Sequence, residues 1–233
     1  MLDMLDINTL NFDLNTNNRY MIDGKSVPRV TEIISKMIHE DKLMEWSNYL
    51  GFKREKYRTV LNEAADYGTK VHHGIEMYLK EDKVEEGAPF FSMSAFLAWY
   101  NLIRQNHKIK ILGQEQKLMC QYYGGTYDLL LEIDGGIWLI DFKTSNHVTY
   151  KYYLQLAAYN KILKEMGVNI TGCIILQLSK DTPQYREYIL DLRIPEHKAY
   201  FDICERTFIS LLYGYYHIHY LEGEFNYVSK PTK

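Results

Sequence analysis

Two apolar runs, Tyr127 to Ile133 and Ile137 to Phe142, flank Asp134, Gly135 and Gly136. Short strand-like runs on either side of residues that accept positive φ predict a β-hairpin. With a two-residue turn at Asp134-Gly135, Ile133 pairs with Gly136. Counting back along both strands then sets Asp128 opposite Asp141, with Lys143 two residues along on the same face. In that register one face carries Tyr127, Leu129, Leu131, Ile133, Trp138, Ile140 and Phe142. The other carries Asp128, Asp141 and Lys143 above Leu130 and Leu139. A slip of one residue would put the two aspartates on opposite faces.

The remaining pattern surrounds this hairpin with alternating element types. Arg19 to Val27 predicts a small hairpin about Asp23-Gly24, and Thr31 is a candidate N-cap for a helix through Ile38. A second helix is expected over Lys42 to Leu50, ended by Gly51, and a third over Val60 to Lys80, where His72 and Glu76 lie one turn apart. Phe90 to Asn106 predicts a helix with Phe91, Phe96, Trp99 and Tyr100 on its buried side. Lys108 to Tyr123 reads as a long strand containing Glu115 and leading through Gly124-Gly125 into the hairpin. Lys151 to Met166 is an amphipathic helix ended by Gly167, with Gln155 and Tyr159 at i and i+4 on one face. Ile170 to Leu178 and Tyr185 to Leu192 predict strands, and Glu196 to Leu221 a long helix packed across the sheet.

Composition changes this picture little. The chain has 233 residues and fits one domain: residues 1–65 as a hairpin and helical elaboration, 66–192 as the core, and 193–233 as a helix and tail. No apolar run has the length of about eighteen residues that crosses a bilayer, and the start lacks a signal-peptide layout. A soluble cytoplasmic protein with no membrane partner is expected. Cys120, Cys173 and Cys204 are odd in number and far apart, which suits neither a disulfide framework nor a four-thiolate cluster. The net charge of −3 offers a polyanion no long-range attraction, so nucleic-acid binding has to use local patches or bound cations. The densest basic patch, Lys53, Arg54, Lys56 and Arg58, is either a solvated face or a phosphate-contacting surface.

Two carboxylates facing each other across a hairpin repel by roughly 3 kcal/mol at about 5 Å if the effective dielectric is near 20. Relief comes from a shared proton, a basic neighbour or a divalent cation. Lys143 supplies one charge, and an oxygen-rich pocket favours Mg²⁺ or Mn²⁺. Phosphodiester hydrolysis fits these parts best.

The ordered set GTKVHHGIE, GGTYDLL, IDFKTS and YYLQLAAY resembles the RecB-like branch of the PD-(D/E)XK nuclease superfamily, which includes phage exonucleases and the mitochondrial genome maintenance exonuclease. The upstream Val27-Pro28-Arg29-Val30-Thr31 is similar to the start of the phage members, so the resemblance covers residues 20–192. It implies an α/β fold with a restriction-endonuclease-like core: a central mixed sheet flanked by helices, here with an N-terminal helical elaboration. It also implies catalytic roles for Asp128, Asp141, Lys143, Gln155 and Tyr159. One or two Mg²⁺ or Mn²⁺ ions would be held by His72, Asp128, Asp141 and the Phe142 main-chain carbonyl, with Glu76 or Glu115 as further ligand candidates. Thr144, Gln155 and Tyr159 would contact nucleic acid. Tyr127 stands where the superfamily name has Pro, and Asp141 replaces the commoner Glu. The cysteines cannot supply the iron–sulfur cluster that some relatives carry. The implied activity is exonucleolytic processing of linear single- or double-stranded DNA in phage recombination, replication or repair, within the host cytoplasm. A single-strand annealing or recombination protein is the candidate partner. The rival readings are a structure-specific or nicking endonuclease and a catalytically inactive nucleic-acid-binding module.

Overall fold

A computed structural model describes residues 20–22, 25–39, 49–54 and 56–228. Strands β1 (Tyr20–Ile22) and β2 (Lys25–Val27) form the small antiparallel hairpin, with Tyr20 opposite Val27. The expected turn at Asp23-Gly24 and most of the expected helix from Lys42 lie outside the described residues. Helix α1 (Val30–Met37) follows, then α2 (Tyr57–Glu81) and α3 (Phe90–Asn106). Strands β3 (Ile109–Cys120), β4 (Tyr123–Ile133) and β5 (Gly136–Lys143) precede helix α4 (Tyr150–Glu165). Strands β6 (Gly172–Leu178) and β7 (Tyr185–Asp191) and helix α5 (Pro195–Val228) complete the fold.

The five long strands make one sheet in the order β3-β4-β5-β6-β7, antiparallel except where β5 and β6 run parallel. A parallel pair needs a crossover, and α4 provides it. This is the expected α/β core, a mixed sheet flanked by helices. The predicted hairpin turn is present: Asp134 and Gly135 take φ of 49° and 83°, and Ile133 pairs with Gly136. Pairing runs to Leu129 opposite Ile140 and stops there, one residue short of the expected pairing of Asp128 with Asp141. The turn is tied to the start of β3, since the Lys108 amide donates to Asp134 Oδ1 at 2.9 Å and the Asp134 amide to the Lys108 carbonyl at 2.9 Å.

Alternation along the strands builds two apolar layers. Leu129, Leu131, Ile140, Phe142, Ile174 and Leu176 pack under α2 and α3 against Val71, Ile75, Phe96 and Trp99. Leu130, Leu139, Cys173 and Ile175 pack on the other side against α1, α4 and α5. Each fully buried side chain of this size contributes about 1.5–3 kcal/mol. Tyr127 departs from the expected face. It lies in the α4–α5 layer, its hydroxyl donating to Gln116 Oε1 at 2.7 Å, because the β4–β5 ladder has ended at Leu129 and Glu115 on the adjoining strand takes a φ of 46°.

Other expectations are corrected by packing. Thr31 is no cap: α1 begins at Val30 after an extended Arg29, whose backbone bridges to Gly124. Gly51 does not end a helix, since residues 49–52 are helical and Arg54 adopts the left-handed conformation. Phe91 is exposed because the buried stripe of α3 runs through Met93, Phe96 and Tyr100. Gly124 and Gly125 sit within β4, and Tyr123 opens that strand rather than closing β3. In α2 the buried residues are Val71, Gly74 and Ile75, so none of residues 57–70 is fully buried. Among the described residues no helix is long and apolar enough to cross a membrane.

Candidate active site

At the end of the β4–β5 ladder the strands deliver two buried carboxylates, with Asp128 8 % and Asp141 2 % exposed. Asp128 Oδ2 accepts the Phe142 backbone amide at 2.7 Å, replacing a ladder bond where the strands part. Lys143 Nζ lies 2.7 Å from Asp141 Oδ1 and 2.6 Å from Oδ2. Its angle to Oδ2 is poor for a hydrogen bond, so that oxygen accepts none among the described residues. From α4, Gln155 Nε2 reaches Asp141 Oδ1 at 3.3 Å and the Tyr159 hydroxyl at 3.2 Å. From α2, on the opposite side of the sheet, His72 Nε2 lies 3.1 Å from the Phe142 carbonyl. Its Nδ1 is 3.4 Å from both Glu115 Oε1 and Asp128 Oδ1.

The charges of these groups are set by burial working against their neighbours. Burial pushes His72 down, but Asp128 and Glu115 overcome it and raise its pKa to about 10. Burial pushes Asp128 up, yet His72, Lys143 and the Phe142 amide hold it below the usual carboxylate range. For Asp141 burial prevails: Lys143 opposes it, Asp128 adds to it, and the carboxyl is raised to about 6. Burial also lowers Lys143, but Asp141 and Asp128 more than offset this and keep it charged.

Three carboxylates against one ammonium leave a double negative charge, which the His72 proton only halves. A divalent cation would cancel it. The ligand atoms of His72, Glu115 and Asp128 all lie within 4.8 Å of one another, close enough to share one ion. With Nε2 donating to the Phe142 carbonyl, an imidazole that had given up its second proton would turn its Nδ1 lone pair toward the two carboxylates, the usual arrangement of a metal-ligating histidine. The residues therefore fit a hard divalent cation that prefers oxygen, such as Mg²⁺ or Mn²⁺. The Phe142 carbonyl keeps a second lone pair for it.

Of the expected residues, the structure brings together His72, Asp128, Asp141, Lys143, the Phe142 carbonyl, Gln155 and Tyr159. Glu115 joins them, whereas Glu76 turns away to pair with Lys80 at 2.5 Å. Thr144 borders α2, its Oγ1 lying 3.6 Å from where a Cβ on Gly68 would stand. Lys53, Arg54, Lys56 and Arg58 are exposed, and no contact of theirs reaches the cluster among the described residues. One participant escaped the sequence reading. The Tyr152 ring lies 4.8 Å from Lys143 Nζ, and its place three residues before Gln155 on α4 was the available signal.

Gly125 shows how closely the site is built. A Cβ there would stand 2.2 Å from Tyr159 Cε1, so the Tyr159 ring rests on bare backbone. Gly125→Ala is expected to cost about 1–3 kcal/mol in urea melts and to displace the Gln155–Tyr159 pair. An unchanged melting midpoint would show that Tyr159 moves aside freely.

No protein-family model and no curated protein matches the sequence. Among solved structures, the crystal structure of SSO0001 matches over 82% of this chain and 79% of that chain, at 15% sequence identity and a TM-score of 0.39.

Proposed function

We propose that the chain is a Mg²⁺- or Mn²⁺-dependent nuclease that hydrolyses phosphodiester bonds at DNA ends. The observation that carries this reading is the convergence of His72, Glu115 and Asp128 beside the buried Asp141–Lys143 pair. The choice of DNA ends as substrate follows from the resemblance to RecB-like exonucleases. Asp128, Glu115 and His72, with Asp141 alongside, would hold the cation, which would supply a water of lowered pKa and polarisation of a phosphoryl oxygen.

The chain's own residues do the rest. Lys143 is held between Asp141 and the Tyr152 face, and its ammonium stabilises charge growing on the phosphoryl group. Gln155 fixes Asp141 from the α4 side, and Tyr159 fixes Gln155. The Phe142 amide and carbonyl orient Asp128 and His72, so one residue of β5 aligns both flanks of the site. The exposed patch from Lys53 to Arg58 guides the strand toward this centre.

The test is digestion of end-labelled linear single and double strands, and of a closed circle, in Mg²⁺, Mn²⁺ or EDTA. Products are expected only with a cation and only from linear DNA, and Asp141→Asn should abolish them. Cutting in EDTA, or by Asp141→Asn at the parent rate, would refute cation-dependent hydrolysis. Nicking of the closed circle would replace end-directed action with internal cleavage.

A further inference from the structure

On the far side of the Gln155–Tyr159 pair from the acidic centre lies a second concavity, a cleft of about 460 Å³. Its volume is within the range of small-ligand sites. It is lined by Arg29 and Thr31 at the start of α1, Lys117 on β3, and Gly125 and Thr126 on β4. Among the described residues no carboxylate lines it. Arg29 and Lys117 are both exposed and have no ion-pair partner among the described residues.

The backbone that carries these groups is anchored. Arg29 is anchored by its bridge to Gly124, by the Pro28 carbonyl accepting the Gly124 amide at 3.0 Å, and by its own carbonyl accepting the Ile33 amide at 3.0 Å. Lys117 is paired across the ladder with Thr126, whose hydroxyl lies 2.8 Å from that of Tyr20. The single acid of the first α1 turn, Glu32, faces elsewhere, toward Lys36 and the Tyr215 hydroxyl. Two cations without an ion-pair partner and several hydroxyls, gathered with no acid among the described lining residues in a chain of net charge −3, make a positive recess beside a negative centre.

We infer that this cleft is a phosphate-binding subsite, in which Arg29 and Lys117 hold a phosphodiester of the strand adjacent to the one at the Asp141–Lys143 centre. The inference rests on the nuclease reading and deepens it. Gln155 and Tyr159 are shared by the cleft and the acidic centre, so a strand crossing that pair passes from the cation site into the cleft. The arrangement accounts for how a chain of negative charge retains a polyanion: local cations take the phosphate next to the scissile one.

The test measures binding of a short fluorescent oligodeoxythymidylate in EDTA over a series of salt concentrations, where nothing is cut and only the chain's own cations contribute. The double variant Arg29→Gln/Lys117→Gln is compared with Lys108→Gln/Lys110→Gln, which makes the same charge change at the other end of β3. For the cleft variant, the slope of log affinity against log salt should flatten by about 0.7 for each cation removed. The control pair should keep the parent slope. An unchanged slope in the cleft variant, or equal flattening in both, would overturn the subsite. If wild type still degrades linear DNA with a cation present, that failure leaves the nuclease reading standing.

Discussion

Lys143→Met is expected to slow cation-dependent DNA hydrolysis by about 10²–10³-fold, the loss typical of removing one preorganised charge from a developing oxyanion. The same substitution should destabilise the protein by up to about 2 kcal/mol at pH 7.5, because Asp141, left buried without its counter-ion, then keeps a proton that wild type releases above about pH 6. The pH dependence separates the two effects. Lys143 opposes the upward push of burial on Asp141, so its removal raises that carboxyl further above about 6. A group raised in the folded state contributes stability that is present below its unfolded pKa and lost as pH rises through the folded value. The variant should therefore approach wild-type stability near pH 5, with Asp141 protonated, and fall away above pH 6, while remaining inactive throughout. Urea melts at pH 5 and pH 7.5 beside single-turnover digestion check this. Full activity would remove Lys143 from the chemistry.

Mg²⁺ or Mn²⁺ at a hundred times its dissociation constant is expected to stabilise the protein by about 2.7 kcal/mol. Glu115→Gln and Asp128→Asn should lose most of that protection, whereas Glu76→Gln should keep it, since Glu76 is engaged with Lys80. Protection should also grow with pH. In the cation-free protein His72 is raised to about 10 and Asp141 to about 6, so a cation must displace the imidazole proton and, in acid, compete with the carboxyl proton as well. Thermal melts at pH 6 and pH 8.5, with each cation or EDTA, give the comparison. Equal loss in Glu76→Gln and Glu115→Gln would point to a ligand set other than the one described.

What could be read from sequence was what local physics decides. The Asp134-Gly135 turn was legible because its positive φ values and the flanking apolar runs are short-range signals, and the register from Ile133 opposite Gly136 to Leu129 opposite Ile140 follows from it. The Gln155–Tyr159 contact was legible from helical spacing. Glu115 was not separable from Glu76 in this way. Glu76 lies one turn from His72, but Lys80 lies one turn further and takes it. Glu115 reaches Asp128 only through a long-range ladder whose register shifts between Ile111 and Gly113. Thr31 looked like a cap and Gly124-Gly125 like the link between two strands because residue type was the only guide. A bridge from Arg29 to Gly124 and the rings of Tyr20 and Tyr159 decided both otherwise.

The uneven burial of α2 gives the two flanks of the site different mechanical characters. Asp141 and Lys143 stand on β5, a strand held by β4 as far as Ile140 and by β6 through Lys143, and Gln155 belongs to a buried face of α4, so that flank behaves as an anvil. His72 instead sits one residue past the point where α2 first sinks into the core, at the root of a lever formed by residues 57–70. On the proposed nuclease reading, a strand that pressed on this lever would be felt first at the imidazole and only then at Asp128, so that its entry and the setting of the cation's ligands would be one movement.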